Sequence, residues 1–280
     1  MTGTGTQADP YLVDNITDFR AASVMDNVYI KLTADLDCNK EGYLEWQTLT
    51  SRCKEVDFDG HALINPLIAS NNYLVNSSIT PLYKNGQILN IYENSANGAL
   101  YSVALSNMSI SAFLTKTVNR PFTNIAAEKC NFVINNQNLN NKAWFSANLN
   151  INGMTGFKDC RFKFNGNIST ESLFISWNSN MSNLIANDCR FEGRVKADYG
   201  SASNPYLING RITNSVVALN TLGSTSAGAI ILANADNTNI YQSDISGLQN
   251  HGSAIPCTSE QILDPDYLNS VGFTVAEVIL

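Results

Sequence analysis

The chain has 280 residues, with 17 Lys or Arg against 24 Asp or Glu, a net charge of −7 and a charged fraction of 15%. Asn appears 38 times, so the polarity comes from amides and hydroxyls rather than charge. A negative balance with no Lys/Arg cluster argues against a nucleic-acid or anionic-membrane partner. No apolar run is long enough to cross a bilayer as a helix, and 44% hydrophobic content argues against disorder.

In chain order, Met1–Thr6 has neither a basic n-region nor an apolar h-region, so no signal peptide is expected. Asn15 followed by Ile16, Phe19 and Ala22 predicts a short capped helix, and residues 1–28 read as an N-terminal cap. Residues 28–37 alternate as a strand, and Val56-Asp-Phe58 looks like an early copy of a repeat with its register open. The repeat is clearest as polar-Cys-x-Phe at Cys130/Phe132, Cys160/Phe162 and Cys189/Phe191, with Cys steps of 30 and 29 residues. Softer copies place Met108/Ile110 upstream and Ser215/Val217 and Ser243/Ile245 downstream. Each copy alternates with the period of a half-buried strand, and nothing sustains a helical period. Short strands recurring every 22–30 residues between Asn/Gly/Ser turns predict an all-β fold, a parallel β-helix solenoid spanning 29–257. Met108, Cys130, Cys160 and Cys189 would form one inward stack, and Phe132, Phe162 and Phe191 the next. Asn suits the turns because it tolerates the left-handed region and caps backbone groups. Thr258-Ser-Glu-Gln261 fits a capping box. It opens a C-terminal cap, 258–280, with a helix expected to stop at Pro265 and a closing strand over 273–280.

The ends carry a resemblance. Residues 3–13, 29–37, Trp46 and Val56-Asp-Phe-Asp-Gly-His-Ala-Leu-Ile64 resemble the opening of β-helix proteins found on bacterial cell surfaces and in bacteriophage virions. Residues 259–273 resemble their C-terminal element. The resemblance implies a right-handed, pectate-lyase-like, single-stranded parallel β-helix with short helical caps. The fold hosts lyases, hydrolases, adhesins and virion parts. The surface proteins usually carry a leader and further repeats. The expectation here is therefore a structural virion protein: a capsid- or tail-attached fibre or decoration assembled in the bacterial cytoplasm and contributing to host attachment. By resemblance it forms a homo-oligomer, usually a trimer, alongside other virion proteins. The alternatives are a tailspike-like polysaccharide depolymerase and a bacterial surface adhesin.

Sugar-cleaving β-helices need two or more carboxylates on one groove. The candidates are Asp57 and Asp59, read as sharing a strand face beside His61, and Asp188 beside Arg190; Glu192–Arg194 and Asp244 complete the set. Asp59-Gly60 reads better as a turn, and no catalytic site is expected. The cysteine stack reads as small buried apolar groups. With no C-x-x-C pair and only His61 and His251, no metal and no cofactor are expected. Trp144 and Trp177, near turns rich in Asn and Ser, read first as buried at a turn or subunit contact and are otherwise candidates for stacking on a sugar of a host-surface glycan.

Overall fold

The structure is a computed structural model of the whole chain. It describes residues 1–39, 49–68, 74–77, 79–93, 100–114, 122–136, 140–141, 145–147, 154, 156–170, 174–176, 185–197, 208–209, 211–221, 238–243, 254–258, 260 and 261–272. It is a parallel β-solenoid. Every pairing between described strands is parallel, and the antiparallel contact is a single bridge, Thr2 to Leu12. Parallel pairing of consecutive coils follows from the repeat: each strand advances one turn and hydrogen-bonds to its own equivalent in the coil before.

One row of strands leads into a corner. Its register runs Val56, Tyr83, Leu105, Ala127, Phe157, Ala186, Ile212. A second row follows the corner and runs Leu36, Leu63, Ile88, Ile110, Phe132, Phe162, Phe191, Val217. A separate sheet closes the coil through Val75, Leu100, Phe122, Phe145, Phe174 and Ile208. The inward side chains described in these rows, from Val56 to Ala186, Leu36 to Val217 and Val75 to Phe122, belong to one continuous core.

The expected stacks are present. Phe132, Phe162 and Phe191 lie ring over ring, with centroids 5.0 and 5.1 Å apart and planes within 2° and 6°. Phe157, from the leading row, meets Phe162 edge-on at 5.2 Å and 89°, an arrangement that suits the ring quadrupole. Met108, Cys130, Cys160 and Cys189 are buried one step before them. Ser215 completes the column by accepting the Cys189 backbone N–H at 3.0 Å. Gly86 precedes Met108 in this column, and there a Cβ would stand 2.2 Å from the Phe58 Cβ and 2.5 Å from the His61 carbonyl oxygen.

Two registers differ from the sequence reading. Val56 pairs with Tyr83 and so belongs to the leading row, where the inward residue precedes the corner. The slot equivalent to Phe132 in that coil falls to Leu63. Downstream, Ser215 pairs with Ile240 and Val217 with Gln242, so the chain is three residues out of the expected Ser243/Ile245 phase. An odd slip exchanges the inward and outward faces of a strand, so the small-x-large pattern of Ser243 and Ile245 does not set the pairing of this coil.

The corners explain the Asn content. Between the leading and following rows, Asp59, Asn85, Asn107, Lys129, Asp159, Asp188 and Asn214 all have φ between 46° and 58°. Asn65 and Asn90, both at 55°, form another such corner. Asn and Asp occupy this region at lower cost than other non-glycine residues, and their side chains link coil to coil. Asn107 Nδ2 donates to Asn85 Oδ1 at 3.2 Å, and Asn85 Nδ2 to Asp57 Oδ1 at 3.2 Å.

At the N-terminus, helix α1 (Ile16–Ser23) is capped by Asn15, whose side chain accepts the Asp18 N–H at 2.8 Å. Its buried face, Ile16, Phe19 and Ala22, joins the core of the first coils. The C-terminal capping box is formed: Gln261 N donates to Thr258 Oγ1 at 3.2 Å, and Thr258 N to Gln261 Oε1 at 2.9 Å. It opens a single 3₁₀ turn, Gln261–Leu263, rather than a longer helix. Pro265 does not end a helix but starts one. Helix α2 (Pro265–Ser270) is capped by Asp264, because the fixed φ and missing N–H of proline suit a first helical position. Ile262 and Leu268 pack on Val216, which points outward beside inward Val217, and Arg190 donates to the Ile262 carbonyl at 3.2 Å. The described part of this terminal element therefore covers the side wall. The expected closing strand over 273–280 lies outside the described residues.

Phe162→Ala is expected to destabilise by about 3–5 kcal/mol, from lost burial plus the cavity left between two stacked rings. Denaturant unfolding would show this, with Phe162→Leu losing much less because it keeps most of the volume.

Candidate functional site

The charged side chains of the corner are spent on one another. Lys31 Nζ lies 2.9 Å from Asp59, and Lys84 Nζ lies 2.8 Å from Glu55 and 3.6 Å from Asp57. Asp57 also accepts the Asp59 backbone N–H at 3.0 Å. The expectation that Asp57 and Asp59 share a strand face is overturned: Asp57 ends a strand, whereas Asp59 sits in the left-handed corner with φ 50°. His61 faces Asp35 at 3.4 Å.

Asp188 also occupies a corner, held by the side-chain amides of Asn187 and Asn214. Following the register from Asp57 through Lys84, Ser106, Glu128 and Lys158 to Asn187 spans five coils. At strand spacing this is roughly 24 Å. The general acid and its partner in a glycosidase stand about 5–10 Å apart, so Asp57 and Asp188 are no such pair. Arg190 does not pair with Asp188 either. It and Arg161, whose guanidinium is 2.8 Å away, both reach Glu192. Arg194 has no described side chain, and Asp244 and His251 lie outside the described residues.

Two pKa shifts mark this wall. Burial works against ionisation of Glu192, but Arg161 and Arg190 outweigh it and hold the carboxyl below its ordinary value. Asp159 is shifted upward, first by burial and then by the Asp188 carboxylate. Burial drives the Cys130 and Cys189 thiols well above their ordinary value and, outside the column, Cys53 to about 11. Cys160 between them goes the other way: burial opposes its ionisation, but hydrogen bonds from Cys130 and Cys189 outweigh it. A reactive cysteine needs access as well as a lowered pKa, and Cys160 is buried inside the coil. Among the described residues no group of three or more His, Cys, Asp or Glu could hold a metal ion, and no helix is long and apolar enough to cross a membrane.

Among the described residues, an arrangement with room for a ligand lies elsewhere on the wall. An open groove of about 570 Å³ crosses several coils, a size in the usual range for ligand sites. Its apolar part is a column one strand beyond the second corner, in which Leu67 pairs with Tyr92 and Tyr92 with Phe113. The Tyr92 and Phe113 rings stack at 5.7 Å and 7°. Tyr92 remains 44% exposed and Phe113 is half-buried. Beside it runs an amide row. Asn90 Nδ2 donates to Asn65 Oδ1 at 3.1 Å, Asn65 Nδ2 to Asp37 Oδ1 at 3.2 Å, and the Asn90 backbone N–H to Ser111 Oγ at 2.8 Å. Asn39 and Asn135 extend the lining.

Sequence reasoning placed the sugar-facing aromatics at Trp144 and Trp177, which lie outside the described residues, as does Trp46. It passed over Tyr92 and Phe113 because they are 21 residues apart with no local motif. The usable signal was the strand register: Ile91-Tyr92 and Ala112-Phe113 each pair an inward residue with an outward aromatic.

The chain matches no protein-family profile and no curated protein sequence. It is similar to the crystal structure of a Bacteroides ovatus protein described as a "putative immunoglobulin A1 protease", with a TM-score of 0.55 and 15% identity over 97% of this chain and 90% of that one. At that identity the likeness bears on the solenoid fold alone.

Both shifts have consequences for stability against pH. Glu192 has a depressed folded pKa. Its contribution is therefore present above the unfolded carboxyl value and lost as pH falls through the folded value. Glu192→Gln should flatten the acid limb of the melting-temperature profile. Asp159, with a raised pKa, opposes folding once ionised, so Asp159→Asn should raise the melting temperature at neutral pH and not in acid. Thermal scans across pH 3–7 would read out both.

Proposed function

We propose that this chain is a non-catalytic structural protein of a bacteriophage virion, a fibre or decoration on capsid or tail, whose rigid side wall contributes to attachment at the host surface. The observation that carries the attachment role is the groove: where the wall has space for a ligand, it is lined by amides, a hydroxyl and stacked aromatics. Among the described carboxylates, Glu55, Asp57 and Glu192 lie instead on strands and Asp59 and Asp188 in corners, neutralised or held by their neighbours. That set can hold a sugar chain but has no acid and base to cleave it. The virion setting is supported by the resemblance of residues 3–13, 29–37, 46, 56–64 and 259–273 to β-helix proteins of phage particles and cell surfaces. The same resemblance carries the trimer and the contacts with other virion proteins.

Scarce charge supports the reading physically. Stacking places equivalent residues of successive coils at strand spacing, so a column of like charges would repel at every step. Neutral amide columns avoid that repulsion and leave faces suited to lie against another surface.

Purified protein is expected to coat host cells and compete with phage adsorption, without releasing reducing ends or unsaturated products from host polysaccharide. Product release abolished by Asp57→Ala or Asp188→Ala would replace this reading with a depolymerase. Detection of the chain in host cell walls free of prophage would replace it with a surface adhesin.

A further inference from the structure

We propose that the groove of Tyr92 and Phe113 binds a linear, uncharged glycan laid along the coil axis, with successive sugars meeting successive coils. This rests on the attachment reading above and deepens it by assigning the site and the chemical class of ligand.

Three features of the groove converge on that class. The first is its polar chemistry. Asn65, Asn90 and Ser111 present donors and acceptors together, because an amide carries two N–H groups and an accepting oxygen, and a hydroxyl does both. Sugar hydroxyls also donate and accept. The coil-to-coil bonds Asn90 to Asn65 and Asn65 to Asp37 use one N–H of each donor, so each amide retains capacity toward the groove. A carboxylate, sulfate or phosphate on the ligand would call for Arg or Lys, and no described lining residue is charged. The charged group nearest in the bonding pattern is Asp37, a carboxylate that would repel an anion.

The second is preorganisation. Asn65 and Asn90 are fixed in left-handed corners at φ 55°, and Ser111 is held by the Asn90 N–H at 2.8 Å. Side chains already held cost less conformational entropy on binding. The aromatic pair is likewise locked ring on ring along the coil axis, so the ring edges it exposes form a fixed apolar ridge against which a sugar ring can pack.

The third is repetition. Leu67, Tyr92 and Phe113 occupy one register position in consecutive coils, and Asn65 and Asn90 another. A site that repeats at strand spacing matches a ligand that itself repeats, a polymer rather than a compact metabolite. A peptide adding as a strand would need unpaired backbone, whereas here Asn65 N donates to Leu89 O and Tyr92 N to Pro66 O at 2.9 and 3.0 Å. A nucleic acid would need cations along its path.

The test is affinity electrophoresis of the whole protein through gels containing neutral host-wall glycans or, in parallel, polygalacturonate as the anionic comparator, at low and high salt. Neutral glycans are expected to retard the protein independently of salt. Tyr92→Ala should weaken retardation about tenfold or more, and Asn90→Gly, which keeps the left-handed corner but removes the amide, should weaken it several-fold. Both variants should keep the wild-type circular dichroism and melting temperature to within a few degrees. Retardation by polygalacturonate alone, neutral retardation indifferent to both substitutions, or no retardation by any neutral glycan would each overturn the assignment. Whole-cell binding separates the two readings. If it persists in both variants, attachment stands and the groove assignment fails. If glycan binding is groove-dependent but cells are not bound, the groove stands and attachment fails.

Discussion

The structure depends on the hydrogen-bond register between one coil and the next. Each parallel strand takes its partners from the equivalent strand of the preceding turn, so a side chain's chemistry is decided by what sits above and below it. Where the register holds an aromatic in successive coils, as at Phe132, Phe162 and Phe191, the rings stack at about strand spacing. Where it holds a charge, a like charge in the next coil would be unfavourable. The wall instead places Lys31 beside Asp59, Lys84 beside Glu55 and Asp57, and Glu192 between two arginines. Arg161 and Arg190 are like charges in register, and Glu192 between them offsets the repulsion. Asp159 and Asp188 have no such mediator among their described contacts, and the upward shift of Asp159 is the electrostatic signature.

The same register accounts for the composition. A coil must turn sharply at fixed points, and the corners use left-handed residues to do so. Glycine would adopt that conformation at the cost of unfolded-state entropy, and it would offer nothing to the next coil. Asparagine adopts it and then bonds coil to coil, as Asn107 to Asn85 and Asn90 to Asn65 show. The amide columns are therefore structural first. At the second corner they run beside an uncovered aromatic column, and a row that holds coils together there also lines a groove.

Much of the fold was legible in residues 105–217. Cys-x-Phe recurring at nearly constant spacing identified both the period and the inward slots, because a small residue and a large one in fixed phase can be satisfied only by a repeated interior. Legibility fell where that pair was replaced. Val56 and Phe58 resemble the motif yet lie on the near side of the corner, and Ile240 takes the place that Ser243 was expected to fill. Pro265 read as a stop because its effect depends on whether a helix precedes or follows it. The groove was illegible, since Asn65, Asn90, Tyr92 and Phe113 meet only through strand pairing.

The sequence by itself determined the class of fold, the period, the stacked interior and the left-handed corners, since these follow from local alternation and from what Asn and Gly allow. Only the tertiary structure decided which columns the outward residues share. It separated Asp57 from Asp188 by five coils, set Asp59 in a corner rather than on a strand face, and brought Tyr92 against Phe113. The physical reason is that inward residues are constrained by burial and leave a pattern in the chain, whereas outward residues are constrained only by their neighbours in other coils. Those neighbours depend on the number of residues in each turn.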